Sequence, residues 1–142
     1  MVLVLIKKHK NNNKGVINLE NIKEKIYMKI IKGLLISFII TLITMLIFAI
    51  LLSYTNIPES TIPIVIIVIS FISILIGSTI STRKINKNGM INGGIIGGVY
   101  VFLLYLISSI VNTGFNVNVY TIIMIVLGII AGLVGGIIGI NS

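Results

Sequence analysis

The sequence contains no Cys, no Asp, no Trp and a single His, His9. The lack of Cys excludes disulfides, thiolate metal sites and a cysteine nucleophile. The only acidic residues are Glu20, Glu24 and Glu59. With no catalytic pair available, we expect the protein not to be an enzyme, and to have no catalytic residue, metal site or cofactor.

Charge is scarce and apolar residues are abundant. Only 10% of the 142 residues are charged, 56% are hydrophobic, and the mean hydropathy is +1.16. Four uncharged apolar runs cover residues 33–54, 62–82, 90–111 and 120–140. Each is long enough for a helix to cross a hydrocarbon core of about 30 Å, whereas open sheets would leave unpaired backbone groups in lipid. We predict an all-α polytopic membrane protein, a bundle of four transmembrane helices over 30–142.

None of the four runs carries an ionisable acid or base, although such residues mark ion paths and proton relays inside membranes. Proton-coupled transport through a buried carboxylate is therefore not supported. Asn92 and Tyr100 are the notable polar residues of the third run. We expect them to make interhelical hydrogen bonds; the alternative is that they line a polar pore.

The eleven basic residues lie on one side of the predicted topology. Eight lysines precede the first run, three basic residues lie between the second and third runs, and the other two loops have none. The positive-inside rule then places both termini in the cytoplasm. We assign orientation and contact with anionic inner-leaflet lipids to seven of these residues: Lys23, Lys25, Lys29, Lys32, Arg83, Lys84 and Lys87.

Residues 1–29 form a basic N-terminal segment. Its first part, 1–18, is polar enough around "KKHKNNNK" to predict disorder. The second part, 19–32, carries a stripe of Leu19, Ile22, Ile26 and Ile30, which predicts a basic amphipathic helix on the inner leaflet. The alternative is that these lysines are only the positive-inside signal. We also hypothesise that translation begins at Leu19.

The pentapeptide GGIIG occurs twice, at 93–97 and 135–139. A phosphate-binding loop is excluded, because no Lys or Arg follows Gly89 and neither copy has the spacing of a dinucleotide fingerprint. Four-residue spacing of glycines instead predicts close helix packing, with the two copies in contact between the third and fourth helices. The glycines assigned to helix packing are Gly93, Gly97, Gly94, Gly98, Gly128, Gly132, Gly136, Gly135 and Gly139.

The first two runs have weaker small-residue faces. These are Gly33, Ser37 and Thr41 in the first run, and Ser73, Gly77 and Ser81 in the second. Every predicted helix therefore offers a face on which another helix can approach closely.

Four segments resemble a family of small, uncharacterised four-span membrane proteins of Gram-positive bacteria, the YrzE type. They are "KGLLISFIITLI" (32–43), "SYTNIPES" (53–60), "STRKINKNGMINGGIIGGVYVFLLYLIS" (81–108) and "GIIAGLVGGIIGIN" (128–141). The resemblance extends from about Met28 to the end of the chain. It implies four helices and a bacterial plasma membrane, and it implies no activity.

These observations favour a non-enzymatic accessory or assembly component of the plasma membrane. Its expected partners are the lipid bilayer and either further copies of itself or other membrane proteins, met through small-residue faces; nucleic acid is not expected. The alternatives are a small oligomeric channel or transporter, and a holin-like permeabilising protein.

Overall fold

A computed structural model describes residues 1–83, 85, 88–111 and 117–142. Four helices make up most of this part of the chain: α1 (Val2–Tyr54), α2 (Ile62–Thr82), α3 (Gly89–Val111) and α4 (Val119–Asn141). A short 3-10 turn at Glu59–Thr61 leads into α2. The described residues contain no strand. All four helices are long and apolar enough to cross a bilayer, by length and composition, which confirms the predicted fold class at this level.

α1 is much longer than the first apolar run. It is one unbroken helix of 53 residues, and it includes residues 1–18, for which disorder was predicted. The structure differs from that prediction, because helix formation is cooperative and the apolar residues on both sides of "KKHKNNNK" favour its propagation through the polar stretch. The amphipathic stretch 19–32 is likewise part of α1 rather than a separate helix.

The four helices form a bundle in which α2 contacts each of the other three. α3 and α4 run antiparallel, with Gly89 against Ile140 at one end. α1 packs on α2 and α3 and, among the described residues, does not contact α4. Lys29 lies beside Arg83 at the same end as Gly89 and Ile140. We call this end of the bundle the basic end.

The interior combines a small apolar core with many small residues. Ile74, Tyr100, Val101 and Ala131 are buried together, and partly buried side chains surround them: Leu34, Phe38, Phe71, Leu104 and Met124. Most large aliphatic residues instead lie on the outer surface. This distribution fits a bilayer, where lipid solvates aliphatic side chains and close approach of backbones stabilises helix pairs.

Candidate functional site

The closest helix pair is α3 with α4, and glycines line both sides of it. An added Cβ on Gly93 would lie 2.7 Å from the Gly136 Cα, and one on Gly132 would lie 2.9 Å from the Gly93 carbonyl carbon. A Cβ on Gly97 would lie less than 3.0 Å from the Gly128 oxygen. We call this contact the glycine seam; it consists of Gly89, Gly93, Gly97, Gly128, Gly132 and Gly136. At Gly93, Gly97, Gly132 and Gly136, no side chain larger than hydrogen fits without moving a backbone.

Gly135 and Gly139 lie on a different face of α4. An added Cβ would stand 2.6 Å from the Leu75 oxygen at Gly135, and 2.5 Å from the Thr79 oxygen at Gly139. These two glycines therefore pack against α2 and not against α3. The second GGIIG copy consequently serves two interfaces, because its middle glycine, Gly136, belongs to the glycine seam.

Gly94 and Gly98 lie outside both backbone contacts. Both are half-buried on the flank of α3. A Cβ on Gly94 would meet the Leu133 side chain at 2.9 Å, and one on Gly98 would meet the Ile129 side chain at 4.0 Å. Of the nine glycines assigned to packing, these two are the ones that approach no backbone of another helix.

The weaker small-residue faces of α1 and α2 meet each other. A Cβ on Gly33 would lie 2.6 Å from the Ser81 Cβ, and a Cβ on Gly77 would lie 2.7 Å from the Gly33 oxygen. Ser37 lies in the same contact, with its hydroxyl against Gly77. α2 also has a second stripe, Ser78 and Thr82, which faces Gly135 and Gly139. This stripe was not predicted, although its four-residue spacing matches that of the two glycines.

A buried hydrogen bond joins α1 to α3 in the middle of the bundle. The hydroxyls of Thr41 and Tyr100 are 2.5 Å apart, and the Tyr100 ring packs on Phe38 with centroids 4.8 Å apart. Thr41 donates its one hydroxyl proton to the Ser37 carbonyl, at 2.9 Å. Tyr100 is therefore the donor to Thr41. Tyr100 makes an interhelical hydrogen bond, as the sequence predicted.

Among the described residues, three buried polar groups have no hydrogen-bond partner: the Ser70 and Ser73 hydroxyls and the Asn92 amide nitrogen. The predicted interhelical bond of Asn92 is therefore not made by its nitrogen. Ser70 Oγ neighbours the Tyr100 hydroxyl without meeting it at hydrogen-bonding geometry. Composition gave no signal for Ser70, since nothing in the sequence relates a serine of α2 to a tyrosine of α3.

The basic residues cluster at one end of the bundle. Lys23, Lys25, Lys32 and Arg83 are exposed. Lys29 is half-buried and donates from Nζ to the Arg83 carbonyl at 3.4 Å, while Ser81 Oγ donates to the Lys29 carbonyl. Lys84 and Lys87, also assigned to lipid contact, lie outside the described residues.

A cavity of about 410 Å³, partly open to the surface, lies between α2, α3 and α4 beside Tyr105, Ser108 and Thr121, and a much smaller one lies deeper in the bundle. Ser70, Ile74, Val101, Met124 and other residues of α2, α3 and α4 line a cavity of about 10 Å³, which is room for about one water molecule. Within the described part of the chain, no group of three or more His, Cys, Asp or Glu residues is placed to hold a metal ion.

Comparison with known proteins gives one match. A family described as a protein of unknown function (DUF3792) matches residues 27–139, which span the apolar part of α1 and nearly all of the other three helices. No curated protein and no solved structure shows a significant match. The chain belongs to this family of uncharacterised proteins.

Proposed function

We propose that this chain is a multi-pass protein of the bacterial plasma membrane that acts as a non-enzymatic accessory or assembly component, binding another membrane protein. The resemblance to YrzE-type proteins of Gram-positive bacteria supports the cellular setting. The observation that carries the proposal is the exposed surface of α1. In its most apolar stretch 11% of residues are buried, against 28–39% in the other three helices.

The exposed surface of α1 is a better candidate for partner binding than the small-residue faces. The small-residue faces were expected to recognise partners, but Gly93, Gly97 and Gly132 lie against backbone within the chain. Leu42 and Leu46 of α1, by contrast, are 62% and 66% exposed. We therefore assign the partner contact to this outer face of α1, where aliphatic side chains can pack against another transmembrane helix.

A transport role within one bundle has less support. The cavity beside Ser70 has room for about one water molecule. The larger cavity, about 410 Å³, is lined on α3 only from Val101 to Val111 and does not reach the basic end. A pore would therefore have to form between several copies of the chain. Flux through liposomes would instead favour one of the alternatives, which are an oligomeric channel, a transporter or a holin-like protein.

Both termini are proposed to be cytoplasmic. The support is that Lys29 of α1 lies beside Arg83, so basic residues distant in sequence meet at one end. The loop at the opposite end of α1 and α2, residues 55–61, has no basic residue. Exposed Lys23, Lys25, Lys32 and Arg83 would then face anionic inner-leaflet lipid, at about 1 kcal/mol for each basic residue near the surface.

The test is purification of the tagged full chain from native membranes in mild detergent. We expect a stoichiometric membrane partner, lost on L42A/L46A and retained on the matched α4 change I122A/V126A, whose side chains are also at least half exposed. Liposomes containing the chain alone should show no ion or dye flux. Flux from the chain alone, or equal partner retention by both variants, contradicts the proposal.

A further inference from the structure

The attachment of α1 differs from that of the other helices. α2, α3 and α4 are joined by backbone contacts at the glycine seam and at Gly135 and Gly139. The buried residues of α1 are only Gly33, Ser37 and Thr41. α1 does approach α2 closely at Gly33 and Gly77, but among the described residues it does not contact α4, and it is the least buried of the four helices.

The polar groups of α1 do not require the other helices. Ser37 Oγ donates to the Gly33 carbonyl and Thr41 Oγ1 to the Ser37 carbonyl, both at 2.9 Å and both within α1. Serine and threonine hydroxyls bonded to the preceding turn are satisfied in lipid as well as in a protein interior. Separation of α1 would therefore leave none of these hydroxyls unpaired.

Separation would remove the partners of two hydroxyls on the other helices. Ser81 Oγ would lose the Lys29 carbonyl, but a serine hydroxyl can bond to the preceding turn of its own helix. The Tyr100 hydroxyl, which is fully buried and donates to Thr41, cannot reach its own backbone. A buried donor without an acceptor is costly. Ser70 on α2 neighbours this hydroxyl, is 6% exposed, and has an oxygen with no partner. A second acceptor for Tyr100 is thus already present on a helix that does not move with α1.

We infer that α1 exchanges between a docked and a released position, and that the Tyr100 hydroxyl changes acceptor with it. In the docked position, the one described above, Tyr100 donates to Thr41 of α1. In the released position it donates to Ser70 of α2. For Tyr100, release then exchanges one hydrogen bond for another, and lipid replaces the contacts that α1 makes at Gly33, Leu34 and Phe38. The inference does not depend on the proposed function.

The absence of natural cysteines allows a direct assay of docking. Ser81 Oγ bonds to the Lys29 carbonyl, and the Lys29 side chain reaches the Arg83 carbonyl two residues beyond Ser81, so this side chain faces α2. The pair K29C/S81C should therefore form a disulfide when α1 is docked. The rate of disulfide formation under limiting oxidant in liposomes then measures the docked fraction. Every variant below carries this same pair.

The exchange predicts changes of opposite sign. T41V should lower the docked-to-released ratio about threefold, and S70A should raise it about threefold, the size of a typical hydrogen bond between membrane helices. S78A is the matched control, because Ser78 is also buried on α2 but faces Gly135 of α4 rather than α1. It should leave the ratio unchanged.

A second background isolates the role of Tyr100. Y100F keeps the ring against Phe38 and removes the hydroxyl, so S70A should have no effect in Y100F. Loss of docking on S70A, no effect of S70A in the parent chain, or an equal effect with and without the Tyr100 hydroxyl would overturn the inference. The sign contrast between T41V and S70A tests it even if Y100F does not fold.

Discussion

Gly93 of α3 and Gly132 of α4 pack backbone against backbone: a Cβ on either residue would stand less than 3.0 Å from the carbonyl oxygen of the other. The contact is therefore reciprocal. It sets the distance between the two helices, since neither residue can gain a methyl group unless the helices separate. The approach is one-sided in the other two pairs: a Cβ on Gly97 would stand less than 3.0 Å from the Gly128 oxygen, and one on Gly136 less than 3.0 Å from the Gly89 oxygen.

Gly128 offers a compensation test, because a side chain limits the space there. A Cβ on Gly128 would overlap Val101 Cγ2, whereas the next neighbours, the Gly97 oxygen and Ile74 Cδ1, are at 3.5 Å. We expect G128A alone to lower stability by about 1–3 kcal/mol. The double variant G128A/V101A should recover much of this loss, measured by unfolding in mixed micelles.

The control for this pair is V101A alone. It should cost stability by opening a cavity in the buried core. Strong non-additivity of the two substitutions is thus expected. If the losses of stability of G128A and V101A simply add in the double variant, Val101 is not the residue that excludes a side chain at Gly128.

The hydrogen bond between Tyr100 and Thr41 should contribute measurably to stability. We expect Y100F to cost about 0.6–1.7 kcal/mol, the range found for hydrogen bonds between membrane helices. Because Tyr54 is 87% exposed, Y54F is the control and should be neutral. An equal effect of Y100F in the T41V background would mean that the two hydroxyls are not coupled.

The proposed orientation can be read from labelling of intact cells. Asn56 and Asn118 lie in exposed positions at the ends of α1 and α4 that are opposite the basic end, whereas Lys23 and Ser142 are exposed at the other side. N56C and N118C should react with a membrane-impermeant maleimide, and K23C and S142C should react only after permeabilisation. The reverse pattern would invert the topology.

Much of the architecture could be predicted from the sequence. Long uncharged runs permit only helices in a bilayer, and four such helices are present. The partition of the fourth-helix glycines could not be predicted. Spacing alone groups Gly132 with Gly136 and Gly135 with Gly139, but it does not say which neighbour each pair meets. That depends on how α2 and α3 are arranged around α4.

In the N-terminal segment, the local structure differs from the one that the composition predicts. Lys and Asn residues around His9 predict disorder by composition, yet they are helical within α1. Composition describes each segment alone, whereas a helix started by apolar neighbours can extend through a polar stretch at low cost per residue. The position of Ser70 beside Tyr100 could not be predicted from the sequence either, since it depends on the rotation of two helices about their axes.

The most direct test of the glycine seam compares two neighbouring glycines of α3. Gly97 faces the Gly128 backbone at less than 3.0 Å, whereas the nearest atom to a Cβ on Gly98 is 4.0 Å away. Thermal unfolding of G97A and G98A in detergent should show a clear loss of stability for G97A, about 1–3 kcal/mol, and none for G98A. Equal stability of the two variants would contradict the close approach of α3 and α4.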